Sequence, residues 1–393
     1  MYRRESEVET PKELAFSVSE YQARLERIRQ QIRTRDLAGM LVHTPENILY
    51  LSGYQTPGYY AYQALLVPAD PASAPVILVR KLEESNVKGL SWIDSMRAYT
   101  DVEDPIAMTA ELVKESRVAG KRLGVEKGSW FLTAGNLERL HTALPDTTLV
   151  DATGLVEQGR LIKSPAEIAY IRTAARAAEA ALRAGLEATA SGKAENEVAA
   201  EIYRAAILAG CEYTSLPQFI ASGYRATLAH ATWSARKIER GDIVYYEVCG
   251  TVQRYTAALF RCATIGPPSE LVQRMSDTTI AALNRVIETM KPGVTCGAVA
   301  TAWADEVVKG GFPRPFKRAG YSIGISFPPD WGEGHILSFK FDERTPLRPG
   351  MVFHTPSSIR EYGVAFIGNS ETLLVTESGC EPLTNFARQH FVR

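Results

Sequence analysis

Few residues in this chain combine a reactive group with a setting that would exploit it, and Glu247 is the clearest. It stands in the apolar run Asp242-Ile-Val-Tyr-Tyr-Glu-Val-Cys-Gly250, which reads as a strand whose alternation puts the carboxylate on the face of Ile243 and Tyr245. A carboxylate flanked by apolar residues in a central strand is costly unless it is paired or bound. The plain structural reading is an ion pair with Arg254 or Arg261. The functional reading is a charge that neutralises a cationic ligand and acts as nucleophile or as the base that activates water. His230, shortly before Arg236 and Lys237, is the matching proton donor, with a satisfied turn histidine as its structural alternative.

Aromatic side chains supply the rest of such a site. Tyr255, Tyr321 and Trp331 are suited to wall a cation, each adding roughly 0.5 to 2 kcal/mol of cation–π attraction. Pro328-Pro-Asp-Trp-Gly-Glu333 combines two prolines, a glycine and two acids, which reads as a rigid loop rather than a packed element, so Asp330, Trp331 and Glu333 are candidate pocket residues. His354, after an apolar strand and just before Pro356, is a further candidate contact.

Composition narrows the ligand. With 44 Lys+Arg against 45 Asp+Glu in 393 residues, the chain has no bulk attraction for phosphate backbones or anionic lipid. A small molecule is the expected partner, without nucleic acid or membrane. Five scattered cysteines with no CxxC pair point to buried thiols, no disulfides and a cytoplasmic location. The chain holds no HExxH, Walker or GxGxxG motif, and no two histidines stand at i, i+4 on a helix. Ser234-Ala-Arg-Lys237 matches SxxK, but without the partner motifs it reads as a turn.

The elements that must position these residues fall into two blocks. Tyr21, Leu25, Ile28 and Ile32 recur at helical spacing, followed by the strand-like runs GMLVH, ILYLSGY, QALLVP, PVILVR, LGVE and TLVD, with an amphipathic stretch around Leu132 to Leu144. Residues 1–160 are therefore expected to form an α/β domain. Ser164, Pro165 and Glu167 then spell a capping box that opens a long helix and the second domain, 161–393. It holds a second helix to Leu208, the strands PQFIASG, DIVYYEV and LFRCATI, helices over Ser269 to Met290 and Gly297 to Val308, and the strands MVFHT and TLLVTES. Strands and helices segregate there, as in an α+β layer with a mostly antiparallel sheet.

Four segments, KSPAEIAYIR, His230 to Asp242, the strand pair that follows, and Pro349-Gly-Met-Val-Phe353, resemble the creatinase/aminopeptidase P superfamily. The resemblance implies a smaller N-terminal creatinase-like domain and a pita-bread catalytic domain. It also implies a homodimer in which the N-terminal domain closes the partner's site, with the aromatic GYQTPGYYAYQ as a suitable closing loop. The superfamily's peptidases hold two metal ions through two Asp, one His and two Glu. Those positions fall here on Glu247, Ala258, Tyr321, Pro356 and Ser370, with Glu371 one residue from the last. One carboxylate cannot hold a metal pair. The resemblance therefore implies the metal-independent branch, with no cofactor, and Gly320-Tyr-Ser-Ile-Gly-Ile-Ser-Phe-Pro-Pro-Asp-Trp-Gly-Glu333 is similar to ectoine hydrolases. Creatinases place an acid/base histidine where His230 stands, but their two substrate-binding glutamates align with Phe260 and Pro356. The expected function is hydrolysis of a C–N bond in a small cyclic amidine or amide. The alternatives are an Xaa-Pro peptidase with a degenerate metal site and a non-catalytic small-molecule-binding protein.

Overall fold

In the computed structural model, which describes residues 11–393, the chain divides after Arg160 into two units. The first is built on a six-stranded mixed sheet in the order Met96–Tyr99, Val76–Arg80, Ala64–Pro68, Gly39–Val42, Arg122–Val125, Thr148–Asp151. One run departs from the sequence reading: ILYLSGY is not a strand but the end of a helix, Pro45–Ser52. Pro45 occupies its first turn, Gly53 ends it in the left-handed conformation, and all its residues but Glu46 are buried. A short helix that is apolar on every side has no amphipathic period to distinguish it from a buried strand.

The second unit opens with the expected capping box, in which the Ser164 hydroxyl accepts from the Glu167 N–H and the Glu167 carboxylate accepts from the Ser164 N–H. The helix that follows, Pro165–Ala188, lays Ala177, Ala178 and Ala181 against Tyr246, Val248, Leu259 and Ala263 of the sheet. Its small residues let the strand approach so closely that a Cβ on Gly250 would run into the Ala174 carbonyl.

The main path of that sheet is antiparallel throughout, in the order Cys380–Pro382, Thr372–Val375, Val352–His354, Tyr321–Phe327, Tyr255–Thr264, Ile243–Val252, Phe219–Ser222. Helices Glu270–Thr289 and Cys296–Lys309 cover its other half, with Val286, Trp303, Phe353 and Leu373 in one core. Two features lay outside the sequence reading. Ser357–Glu361 and Ala365–Asn369 form a separate hairpin. Asp330–Gly332 pairs with Tyr321–Phe327, so the Pro-Pro-Asp-Trp-Gly-Glu segment is part of a hairpin rather than a free loop.

Register fixes which side chains meet. Glu247 lies between Phe219 on one neighbouring strand and Phe260 on the other, and Cys249 lies opposite Ala258. Tyr245, Glu247, Phe219, Ala258 and Phe260 therefore share one face, and the helix covers the opposite one. All five cysteines are free.

Candidate active site

Glu247 sits mid-strand and half-buried, and among the described residues its carboxylate has no hydrogen-bond or ion-pair partner. The two arginines expected to pair with it are committed elsewhere. Arg254 donates to the carbonyls of Ser326 and Tyr213 at 2.6 Å each. Arg261 donates to the Glu371 carboxylate at 2.7 Å and to the Ser370 carbonyl at 2.6 Å. Burial pushes Glu247 up to about 7, with the positive charges of Lys317 and Arg360 opposing that rise. A reaction that uses its carboxylate is expected to show kcat/KM rising about tenfold per pH unit below that value and levelling above it. A pH-rate profile with no limb between pH 5 and 8 would contradict the assignment.

An aromatic enclosure is built outward from the two cross-strand neighbours of Glu247, Phe219 and Phe260. The Phe219 ring lies 5.6 Å from Trp331 and 5.6 Å from His230. On the other side Phe260 lies 5.9 Å from Tyr245 and 5.3 Å from Phe366. The Tyr245 hydroxyl donates to the Ala231 carbonyl at 2.6 Å, tying the strand to the segment that carries His230. His230 itself is exposed and adopts φ 54°.

Behind this enclosure runs a buried hydrogen-bond chain. Trp331 Nε1 donates to the Tyr321 hydroxyl at 2.9 Å, that hydroxyl shares a hydrogen bond with His354 Nδ1 at 2.8 Å, and His354 Nε2 meets Ser370 Oγ at 2.7 Å. Burial, reinforced by Arg318, lowers His354 to about 3, so the ring is neutral and donates through one nitrogen while accepting through the other. It links Tyr321 and Ser370 rather than supplying a proton.

Three candidates are not brought to this site. Tyr255 faces the helix, stacks on Tyr170 and bonds Glu167 at 2.7 Å. Glu333 is buried in an ion pair with Lys163 at 2.7 Å. Asp330 is exposed and accepts from the Gly332 N–H at 3.0 Å. The Ser234 and Lys237 side chains go separately to Glu195 and Glu197. Conversely, Phe219, Lys317 and Arg360 were not singled out in the sequence.

The donors do not fit a dinuclear metal centre. Among the described residues no three His, Cys, Asp or Glu converge as a metal-holding group. Glu371 does not substitute for Ser370: its carboxylate is held by Arg261, by Arg388 at 3.1 Å and by the Thr384 hydroxyl. Ala258, which the resemblance sets at the second Asp position, is packed by Thr372, whose Oγ1 bonds both its N–H and its carbonyl at 3.0 Å.

Residues 169–377 match the metallopeptidase family M24, and residues 24–162 match the creatinase/prolidase N-terminal domain. The chain belongs to family M24. Its relatives include an ectoine hydrolase of Halomonas elongata, 30% identical over 401 residues that cover 97% of this chain and 99% of that protein. An Xaa-Pro dipeptidase of Pyrococcus horikoshii is 28% identical over 68% of this chain and 74% of its own length. Among solved structures, the dipeptidase PepE of Mycobacterium ulcerans superposes with a TM-score of 0.82 at 25% identity, covering 96% of this chain and 99% of that one. The prolidase of Pyrococcus horikoshii also superposes at 0.82, with 24% identity and 93% and 99% coverage. The M24 fold here is thus a creatinase-type N-terminal domain followed by a pita-bread domain. The chain is a hydrolase of that family.

Proposed function

We propose that this M24 protein is a metal-independent hydrolase of a C–N bond in a small cyclic amidine, with ectoine as the named substrate. The observation that carries the reading is Glu247, an ionisable group that among the described residues has no ion pair, set among aromatic rings. An amidinium restores the missing counter-charge, and its flat cation suits the faces of Phe219, Trp331 and Phe260. Two metal dications would instead repel it.

Hydrolysis adds one water across the substrate. Oxygen bonds to the amidine carbon, either directly from water deprotonated by Glu247 or through an acyl-type adduct on Glu247 that water then opens. The resulting tetrahedral centre expels one nitrogen, which takes a proton and leaves as an amine, and the carbon is left as an amide. His230, at the open edge of the enclosure, is the proposed proton donor. Both routes need Glu247 ionised, which ties them to the pH limb described above.

Incubation with ectoine in excess chelator tests the proposal, with the product followed by proton NMR. The expected result is ring opening at an unchanged rate with and without chelator, and no cleavage of Xaa-Pro dipeptides. Activity on Xaa-Pro dipeptides that disappears with chelator would replace this reading with a metallopeptidase.

A further inference from the structure

Lys317 and Arg360 act on Glu247 electrostatically without pairing with it. The Ser357–Glu361/Ala365–Asn369 hairpin pairs Ser358 with Gly368 and Arg360 with Phe366, so these four residues share one face. That face meets Phe260, whose ring fills the space a Gly368 side chain would take, and Phe260 is the register neighbour of Glu247. The Arg360 guanidinium lies 4.1 Å over the Phe366 ring, and Lys317 Nζ donates to Ser358 Oγ while lying 5.9 Å from the Trp303 ring. Both cations are within electrostatic range of Glu247, yet among the described residues none of the three forms an ion pair. Two cations and one anion that gather without closing on each other leave a separation of charge for a ligand to span.

Resting on the amidine reading above, we infer that Lys317 and Arg360 form an anion subsite that holds the carboxylate of a zwitterionic substrate whose cationic end lies on Glu247. The arrangement sorts by depth. Glu247 is at the half-buried floor, among the aromatic rings that favour a flat cation, whereas Lys317 and Arg360 belong to the exposed rim, where a hydrated carboxylate is least costly to bind. Arginine offers the planar fork that meets a carboxylate through two hydrogen bonds, and lysine adds a point charge. The substrate class is therefore a cyclic amidine bearing a carboxylate, and a neutral or purely cationic amidine is a poor ligand.

The test is calorimetric binding of two probes, ectoine and its decarboxylated counterpart 2-methyl-1,4,5,6-tetrahydropyrimidine, to wild type, Lys317→Met, Arg360→Met and Glu247→Gln, each checked for an intact melting transition. Wild type is expected to bind ectoine at least tenfold more tightly. Lys317→Met and Arg360→Met should erase that preference by weakening ectoine alone, while Glu247→Gln keeps the preference and weakens both probes. Because binding is the readout, the subsite stands on this result even where no product forms, in which case only the hydrolysis reading fails. Equal affinity of wild type for the two probes, equal weakening of both by the rim variants, or no binding of ectoine would overturn the subsite.

Discussion

Glu247→Gln is expected to lower kcat on the amidine substrate by at least about 10²-fold, the scale of a lost general base or nucleophile, without lowering the melting temperature. The substitution keeps the shape of the side chain and removes only its charge. The stability half of the prediction follows from the direction of the pKa shift. Burial holds the carboxyl at about 7 in the folded protein, above its ordinary 4.5. Between those values the folded state binds more protons than the unfolded one, so stability falls as pH rises through that window. Glutamine does not titrate, and the variant should therefore be as stable as wild type at pH 5 and more stable at pH 8. A structural carboxylate in an ion pair would give the opposite sign. Melting curves at the two pH values, beside steady-state kinetics, separate the two, and a variant that turns over normally would remove Glu247 from the chemistry.

The largest stability effect is expected at Lys163. Its ammonium meets the Glu333 carboxylate at 2.7 Å with both side chains almost wholly buried, and Ser322 Oγ also lies 3.3 Å from that carboxylate. Lys163→Met leaves a buried carboxylate without its cation, a change that costs about 3 to 5 kcal/mol. The pair also fastens the hairpin that carries Trp331, because the Glu333 N–H donates to the Ser322 carbonyl at 2.7 Å next to Tyr321. Glu333 thus positions the hairpin that forms a wall of the site. Adding Glu333→Gln to Lys163→Met should recover part of the loss in a denaturant melt, since the uncompensated charge is gone. A single variant within 1 kcal/mol of wild type would show that the carboxylate is already satisfied without Lys163.

Glu247 was legible in the sequence because it breaks a rule: a charge in an unbroken apolar strand asks for a partner. Tyr321, Trp331 and His354 were legible by resemblance and composition, and the structure joins them in one hydrogen-bond chain. Tyr255 was misplaced for a reason that lies in the turn before it. Gln253 and Arg254 both adopt positive φ in a two-residue hairpin turn, which sets Val252 opposite Tyr255 and puts both on the face away from Glu247. Phe219, Lys317 and Arg360 carry no local signal at all. Phe219 reaches Glu247 through cross-strand register, and Arg360 through a hairpin more than a hundred residues further along the chain. The Asp-Trp-Gly segment followed turn chemistry where strand pairing prevailed, and Ile48 to Leu51 followed a short apolar run that fits helix and strand equally.

The central claim is that Glu247 drives metal-independent addition of water to an amidine carbon. Mass spectrometry of ectoine incubated with chelator-treated protein in water enriched in the heavy oxygen isotope tests it most directly. The account predicts a ring-opened amide carrying one solvent-derived oxygen over many turnovers from wild type and no product from Glu247→Gln. Unchanged ectoine with wild type, or equal product from both proteins, would contradict it.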